Sequence, residues 1–287
     1  MYFAGATLPG TSTSPNEDWL AVTPDLVVVL DGATVRTDTG CRHDVSWYAR
    51  HLGPALIANA TQGIGLPSVL AGAIAHVARL HPDCDLEHAG TPSAAVAIVR
   101  DEGTVVRYLV LGDISVVFDT GDVEPLVVSD NRVSHTAASE RAEADQWLIG
   151  SPEKRAALLR MKHGELAARN RPGGYWIAAS DPGAAHHALV GSVPKESLRQ
   201  LAVLSDGAAR GVALFDLHTW RGALDVLEQA GPQAVLWMVR DAESRDPLGL
   251  LYPRNKAVDD ATVVYGHVGC RQPSLGHSVP RAAVVPR

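Results

Sequence analysis

Five short acidic clusters carry the chemistry in this chain: Asn16-Glu17-Asp18, Asp31-Gly32, Gly112-Asp113, Ser205-Asp206-Gly207 and Asp259-Asp260. Each stands at the end or the foot of an apolar, β-branched run. Those runs are Leu26-Val27-Val28-Val29-Leu30, Val105 to Leu111, Leu201 to Leu204 and Thr262-Val263-Val264-Tyr265. Carboxylates are seldom buried unless they are paired or bind a metal. Carboxylates at the ends of strands drawn from distant parts of a chain can converge on one point. An oxygen-rich point of that kind suits a hard divalent cation such as Mg²⁺ or Mn²⁺. Taken singly, each cluster also has a plain local role. Asp31-Gly32 is a hairpin-turn dipeptide, Asp206 can cap a helix, and Glu17, Asp18 and Asp113 can be solvated loop charges.

The elements that must position these residues can be read from periodicity. Trp19 to Val22 and Leu26 to Leu30 are short strands around the turn Thr23-Pro24-Asp25. Apolar residues at Val45, Tyr48, Leu52, Leu56 and Ala60 predict a helix from Asp44 to about Asn59, and a second covers Leu66 to Leu80. Ala94 to Arg100 with Thr104 to Leu111, and Ser115 to Asp119 with Glu124 to Ser129, read as two hairpins. Residues 134–171, rich in Ala, Glu and Arg, read as helix broken at Gly150-Ser151-Pro152. Strands are expected at Tyr175 to Ala179, Ser197 to Leu204 and Ala261 to Val268. Helices are expected at about 208–216, 219–230 and 232–245. Strands cluster early and late with paired helices between them, which is not βαβ alternation. The pattern favours an α+β fold, an antiparallel sheet system flanked by helices.

The 287 residues allow one large domain or two small ones, with 46% hydrophobic and 20% charged residues, a globular composition. A net charge of −7 argues against a nucleic-acid surface or an anionic-membrane surface. No apolar stretch reaches the ~18 residues of a membrane span, and no signal peptide is evident, so the expected location is cytoplasmic. Three cysteines without a CxxC pair argue against a disulfide framework or a zinc ribbon. The tail from Gly269 lacks periodicity and is expected to be disordered.

Six segments in order carry a family resemblance: Asn16-Glu17-Asp18, Val29-Leu30-Asp31-Gly32, Gly90-Thr91-Pro92-Ser93-Ala94, Leu111-Gly112-Asp113-Ile114-Ser115, Leu204-Ser205-Asp206-Gly207 and Asp259-Asp260-Ala261-Thr262. This series resembles the motifs of the metal-dependent protein phosphatases, the phosphatase 2C-like family, and it spans residues 1–268 as a single domain. The resemblance implies a central β-sandwich of two antiparallel sheets flanked by helices on both faces, a four-layer αββα arrangement. It implies two core Mg²⁺ or Mn²⁺ ions and a third, weaker one. Asp31 would bridge the core pair. Asp206 and Asp259 would complete one ion, and Glu17 with the Gly32 carbonyl the other. Asp18 would stand behind these ligands, and Asp113 with Asp206 would meet the third ion. Two such ions can share a water, lower its pKa and aim the hydroxide at phosphorus. The implied activity is phosphomonoester hydrolysis, with a phosphoserine/phosphothreonine protein as substrate. The alternatives are a small phosphorylated molecule as substrate, or an inactive fold that regulates a partner.

The chain departs from the family where the family holds substrate. Thr13 stands where bacterial members have a phosphate-holding Arg, so Arg36 or Arg42 are the candidates to replace it. No His follows Gly32, which leaves His43 as the nearest leaving-group acid. The basic stretch Arg169-Asn170-Arg171 could belong to a flap that meets phosphate. Cys41-Arg42-His43-Asp44 permits a cysteine-hydrolase reading that nothing else in the sequence supports.

Overall fold

The computed structural model describes residues 1–269, so the expected disordered tail lies, apart from Gly269, outside the described residues. Among these residues ten strands form two sheets: β1 (Tyr2–Leu8), β2 (Trp19–Val22), β3 (Leu26–Gly32), β4 (Ala94–Asp101), β5 (Val105–Leu111), β6 (Ser115–Asp119), β7 (Leu126–Val128), β8 (Leu189–Pro194), β9 (Gln200–Leu204) and β10 (Ala261–His267). One sheet runs β1-β10-β9-β6-β7 and the other β2-β3-β4-β5-β8. Every pairing is antiparallel. Among the described residues seven α-helices accompany the sheets: α1 (Val45–Asn59), α2 (Leu66–Ala78), α3 (Ala138–Ala144), α4 (Pro152–Ala168), α5 (Asp206–Ala213), α6 (Trp220–Ala230) and α7 (Pro232–Arg245).

Side-chain alternation sorts the strands into layers. Val27 and Val29 of β3 join Ala95, Ala97 and Val110 of the same sheet in a core with Val116, Phe118, Leu201, Val203 and Val264 of the other. This is the filling of the sandwich. The intervening residues Val28 and Leu30 face outward and pack with Val96, Ile98 and Leu109 on α1 and α2. On the opposite outer face, Val117, Ala202, Leu204 and Val263 pack on α5, α6 and α7. The order is therefore helices, sheet, sheet, helices, as the motif series implied. Asp31 shares the parity of Val27 and Val29, so it belongs to the inward face at the open end of the sandwich.

Caps and breakers set the helix bounds. The Asp44 carboxylate accepts from Trp47 N at 2.6 Å and starts α1, and Ser151 accepts from Lys154 N at 3.0 Å with Pro152 in the first turn of α4. Thr219 likewise starts α6 by accepting from Gly222 N at 3.2 Å.

Three elements differ from expectation. β1 was not anticipated, because Ala4, Gly5 and Ala6 dilute its β-propensity, yet it pairs with β10 along its full length. β8 was also missed. It carries Gly191 and ends in Pro194, signals tolerated on an edge strand such as this one. Conversely, Tyr175 to Ala179 is not a strand. It touches β4 at the single bridge Ala94–Ala178, beyond the point where β5 ends against Val96.

Candidate metal centre

Antiparallel pairing brings the acidic clusters to one end of the sandwich. The C-terminal ends of β3, β5 and β9 lie there, and so do the starts of β2, β6 and β10, since Trp19 pairs with Leu30, Ser115 with Leu204 and Val263 with Leu204. A cavity of about 320 Å³ opens at this end, and Asp31, Gly32, Asp113, Asp206 and Asp259 line it. An adjoining cleft is lined by Glu17, Lys256, Asp259 and Asp260.

The two sheets are joined at this point by the Asp206 backbone N–H, which donates to Asp31 Oδ2 at 3.0 Å. Asp260 holds the adjacent loop: one of its oxygens accepts from Gly10 N at 2.6 Å and the other from Glu17 N at 2.8 Å. Two glycines permit the close approach. A Cβ on Gly32 would stand 2.7 Å from both Cβ and the carbonyl oxygen of Glu17, and one on Gly207 would stand 1.9 Å from the Asp260 carbonyl oxygen.

The carboxyls are held in a state that disfavours their charge. Desolvation and then the charges of Asp206, Asp18, Asp113 and Asp259 push Asp31 well above the usual carboxylate range. Burial pushes Asp18 up to about 8, and burial followed by Asp206 pushes Asp113 up to about 7. Asp206 is raised by desolvation and Asp259, against the pull of Arg210 and Lys256. Glu17 is raised by desolvation and by Asp260 despite Lys256. Both oxygens of Asp18 are buried without a hydrogen-bond partner. The Ser205 and Thr262 hydroxyls lie close enough to offset part of the Asp18 rise, while Ser205 Oγ accepts from Thr262 N and Thr262 Oγ1 pairs with Thr7.

Buried, mutually repelling carboxyls with orphaned oxygens are a donor set that a hard cation would satisfy. The residues fit Mg²⁺ or Mn²⁺ by charge and by ligand type. They are spaced more widely than a closed cage: among the described residues, the three-donor group whose ligating atoms all lie within 4.8 Å of one another is Cys41, His81 and Cys84, elsewhere in the fold. Mg²⁺ in particular keeps several waters and needs few direct protein ligands.

Cationic side chains already occupy part of the centre, and the sequence reading had missed them. Arg210 donates to Asp259 Oδ2 at 2.6 Å and to Glu243 at 2.6 Å, and Lys256 Nζ reaches Asp259 Oδ1 at 2.5 Å. Burial opposes the Lys256 charge, but Asp259, Asp206 and Glu17 outweigh it and hold the ammonium above its usual value. The signal available in sequence was spacing. Arg210 lies four residues after Asp206 on α5, and Lys256 three before Asp259.

The two candidate phosphate-binding arginines part company. Arg36 lines the cavity and donates to the Asn255 carbonyl at 3.2 Å. Arg42 is exposed and pairs with Asp83 at 3.4 Å, away from the residues that line the cavity. His43 stacks on Trp47 at 3.9 Å and is not among the lining residues either. Arg169 is an anchor for the α3–α4 segment, donating to the Thr91 carbonyl, Thr91 Oγ1 and Ser93 Oγ. That segment contributes Arg141, Lys162 and Glu165 to the cavity wall. The cysteine-hydrolase reading gains nothing: desolvation and Cys84 push the Cys41 thiol up to about 11, which disfavours a thiolate nucleophile.

By sequence the chain matches no family model and no curated protein. By structure it is similar to the serine/threonine phosphatase PstP/Ppp of Mycobacterium tuberculosis, with a TM-score of 0.56 at 14% identity, covering 92% of this chain and 97% of that one. A PstP catalytic domain in complex with two manganese ions is similar at a TM-score of 0.54 and 14% identity, covering 92% and 96%. The PPM Ser-Thr phosphatase MsPP of Mycobacterium smegmatis, in complex with cacodylate, gives 0.55 at 17% identity over 94% and 99%. Among the described residues no helix is long and apolar enough to cross a membrane. The chain has the four-layer, phosphatase 2C-like fold of these bacterial serine/threonine phosphatases, at 14–17% sequence identity to them.

Proposed function

We propose that the chain is a Mg²⁺- or Mn²⁺-dependent phosphomonoesterase of the serine/threonine protein phosphatase type, acting in the cytoplasm. The observation that carries this reading is the meeting of Asp31, Asp113, Asp206 and Asp259 at one cavity, with Asp18 buried and unpartnered beside them. Asp31, Asp206, Asp259, Glu17 and the Gly32 carbonyl would hold two core ions, and Asp113 with Asp206 a third. Bound there, the ions would lower the pKa of water and neutralise phosphoryl oxygens.

The chain's own residues supply orientation and charge. Asp31 acts as a ligand and not as a general acid, fixed in place by the Asp206 N–H. Arg36, at the cavity wall, takes the part of the phosphate clamp that Thr13 cannot. Its planar fork suits a phosphoryl group. A cavity of about 320 Å³ is at the small end for ligand pockets. It suits a phosphorylated side chain presented by a protein, or a small phosphorylated molecule.

One observation favours a second reading. Both oxygens of Asp259 are engaged by Arg210 and Lys256, so two fixed cations stand where the first reading needs a metal ligand. A pseudophosphatase that uses these side chains in place of an ion, and that regulates a partner, fits the same contacts.

Hydrolysis of p-nitrophenyl phosphate with Mn²⁺, with Mg²⁺ and with EDTA decides between them. Metal-dependent turnover that is lost in Asp206→Ala supports the enzyme. A folded protein inactive with every metal favours the pseudophosphatase. Turnover of phosphopeptides compared with phosphorylated metabolites then separates the substrate classes.

A further inference from the structure

Two loops outside the carboxylate cavity bring together residues that the sequence keeps apart. Cys41 lies on the segment between Gly32 and α1. His81 and Cys84 lie on the turn that follows α2, where Cys84 N–H donates to the His81 carbonyl at 3.3 Å. Cys41 Sγ stands 3.2 Å from Cys84 Sγ and 3.4 Å from His81 Nδ1. All three ligating atoms lie within 4.8 Å of one another. His81 is buried at 5% exposure, and its second nitrogen, Nε2, has no hydrogen-bond partner.

The surroundings hold the three donors in place. Asp85 N–H donates to the Gly40 carbonyl at 2.9 Å, tying the two loops together beside the cysteines. His43 N–H donates to Cys41 Sγ at 3.3 Å. Trp47 packs edge-on against the His81 ring, with centroids 4.5 Å apart. Gly90 allows the loops to touch, since a Cβ there would stand 2.2 Å from the Asp38 carbonyl oxygen.

The sulfurs are not joined in a disulfide, whose S–S bond is ~2.05 Å. At 3.2 Å they stand about 0.6 Å closer than the ~3.8 Å of tetrahedral sulfurs on a shared ion at a Zn–S distance of about 2.3 Å, so a small opening of the loops admits it. Two thiolates and an imidazole are soft and borderline donors, the set that selects Zn²⁺ over Mg²⁺ or Mn²⁺. We propose that Cys41, His81 Nδ1 and Cys84 form a zinc site, separate from the carboxylate centre, that clips the loop following Asp31-Gly32 to the loop between α2 and β4. The fourth position is left to water. Binding converts two thiols to thiolates and releases their two protons, so the two positive charges of Zn²⁺ are balanced within the site.

The consequence for the cavity is positional. The clipped loop carries Arg36, and Ala33 at its start is hydrogen-bonded to the Ser93 carbonyl at 2.9 Å. Zinc would therefore restrict the segment that presents Arg36 without touching the carboxylates.

The test uses the full chain, reduced, stripped with EDTA, transferred to chelator-free buffer and loaded with Zn²⁺ or Co²⁺. About one equivalent more zinc than in Cys84→Ser is expected by elemental mass spectrometry, with thiolate-to-cobalt charge-transfer bands in the Co²⁺ form. The thiolate bands and that extra equivalent should persist in Asp31→Asn and disappear in Cys84→Ser and in His81→Asn. A Co²⁺ spectrum without thiolate bands would overturn the proposal, as would undiminished zinc in both variants. So would an as-isolated protein lighter by two hydrogens, with Cys41 disulfide-bonded to Cys84. If a variant fails to fold, the wild-type Co²⁺ spectrum decides alone, because carboxylate sites give no thiolate band. None of these readouts depends on phosphatase activity, so the zinc site and the proposed function stand or fall separately.

Discussion

The backbone N–H of Asp206 donates to Asp31 Oδ2 at 3.0 Å across 175 positions of sequence. The bond joins the C-terminal end of β3 in one sheet to the start of α5 beyond β9 in the other. It fixes the carboxyl that both sheets would share at a metal centre. Around it, desolvation and like charge raise the Asp31 and Asp206 carboxyls together, so charge at this point needs an external cation or the two internal ones already beside Asp259.

Asp31→Asn removes the shared ligand while keeping the volume and an oxygen to accept the Asp206 N–H. We expect turnover of p-nitrophenyl phosphate to fall by at least ~10²–10³-fold, the scale on which loss of one preorganised electrostatic group reduces kcat. The metal-free variant should melt no lower than the wild type, because a disfavoured charge is removed. Full activity in a folded Asp31→Asn protein would sink the phosphatase reading.

The Asp18 carboxyl is raised from an ordinary 3.8 to about 8, chiefly by burial. A carboxyl with a raised folded pKa keeps its proton in the fold at a pH where the unfolded chain has lost it. Its contribution to stability is complete below about 4 and is lost as pH rises through about 8. Metal-free wild-type protein should therefore lose ~2–4 kcal/mol relative to Asp18→Asn between those limits, less than the full ~1.4 kcal/mol per unit because neighbouring carboxyls share the charge. Chemical denaturation of both proteins in EDTA at several pH values measures it. A wild-type-minus-variant difference that does not change with pH would refute it.

Lys256 and an added cation compete for Asp259. Replacing Lys256 with Met should tighten Mn²⁺ binding, read by calorimetry as a fall in Kd of about tenfold, if the lysine contributes ~1.4 kcal/mol to holding the carboxylate. Arg210→Met is the contrast. It takes one of two cations from buried Glu243, leaving Arg240, and one of two from Asp259, leaving Lys256, and should destabilise the fold by ~1.5–3 kcal/mol. Unchanged Mn²⁺ affinity in Lys256→Met would show that the ammonium does not occupy the ion's position.

Arg36 and Arg42 should behave differently. If Arg36 meets substrate phosphate, Arg36→Ala should raise KM by ~10–100-fold, the worth of a charged hydrogen bond of ~1.5–3 kcal/mol. Arg42→Ala should leave kinetics and stability near wild type, since its ion pair with Asp83 is exposed on both sides. The reverse result would move the phosphate site to the Cys41 loop.

What the sequence determined about this protein is local. Runs such as Leu26 to Leu30 and Leu201 to Leu204 announce strands because alternate β-branched residues fill both faces of a buried sheet. An acid placed straight after such a run must lie at a sheet end. Asp44, Ser151 and Thr219 announce helix starts because capping is satisfied within four residues. Edge strands β1 and β8 escaped that reading, since Gly5, Gly191 and Pro194 weaken the local signal and the partner strand supplies the ordering. Which acids meet was a matter of register and layer packing. Antiparallel pairing brings the ends of β3, β5 and β9 to one side, and only the packed sandwich brings Asp31 to the Asp206 N–H. The same holds for Arg210 on Asp259, and for Cys41 against His81 and Cys84. These contacts join separate elements or loops, and their geometry comes from how those segments stack, a property that no local spacing encodes.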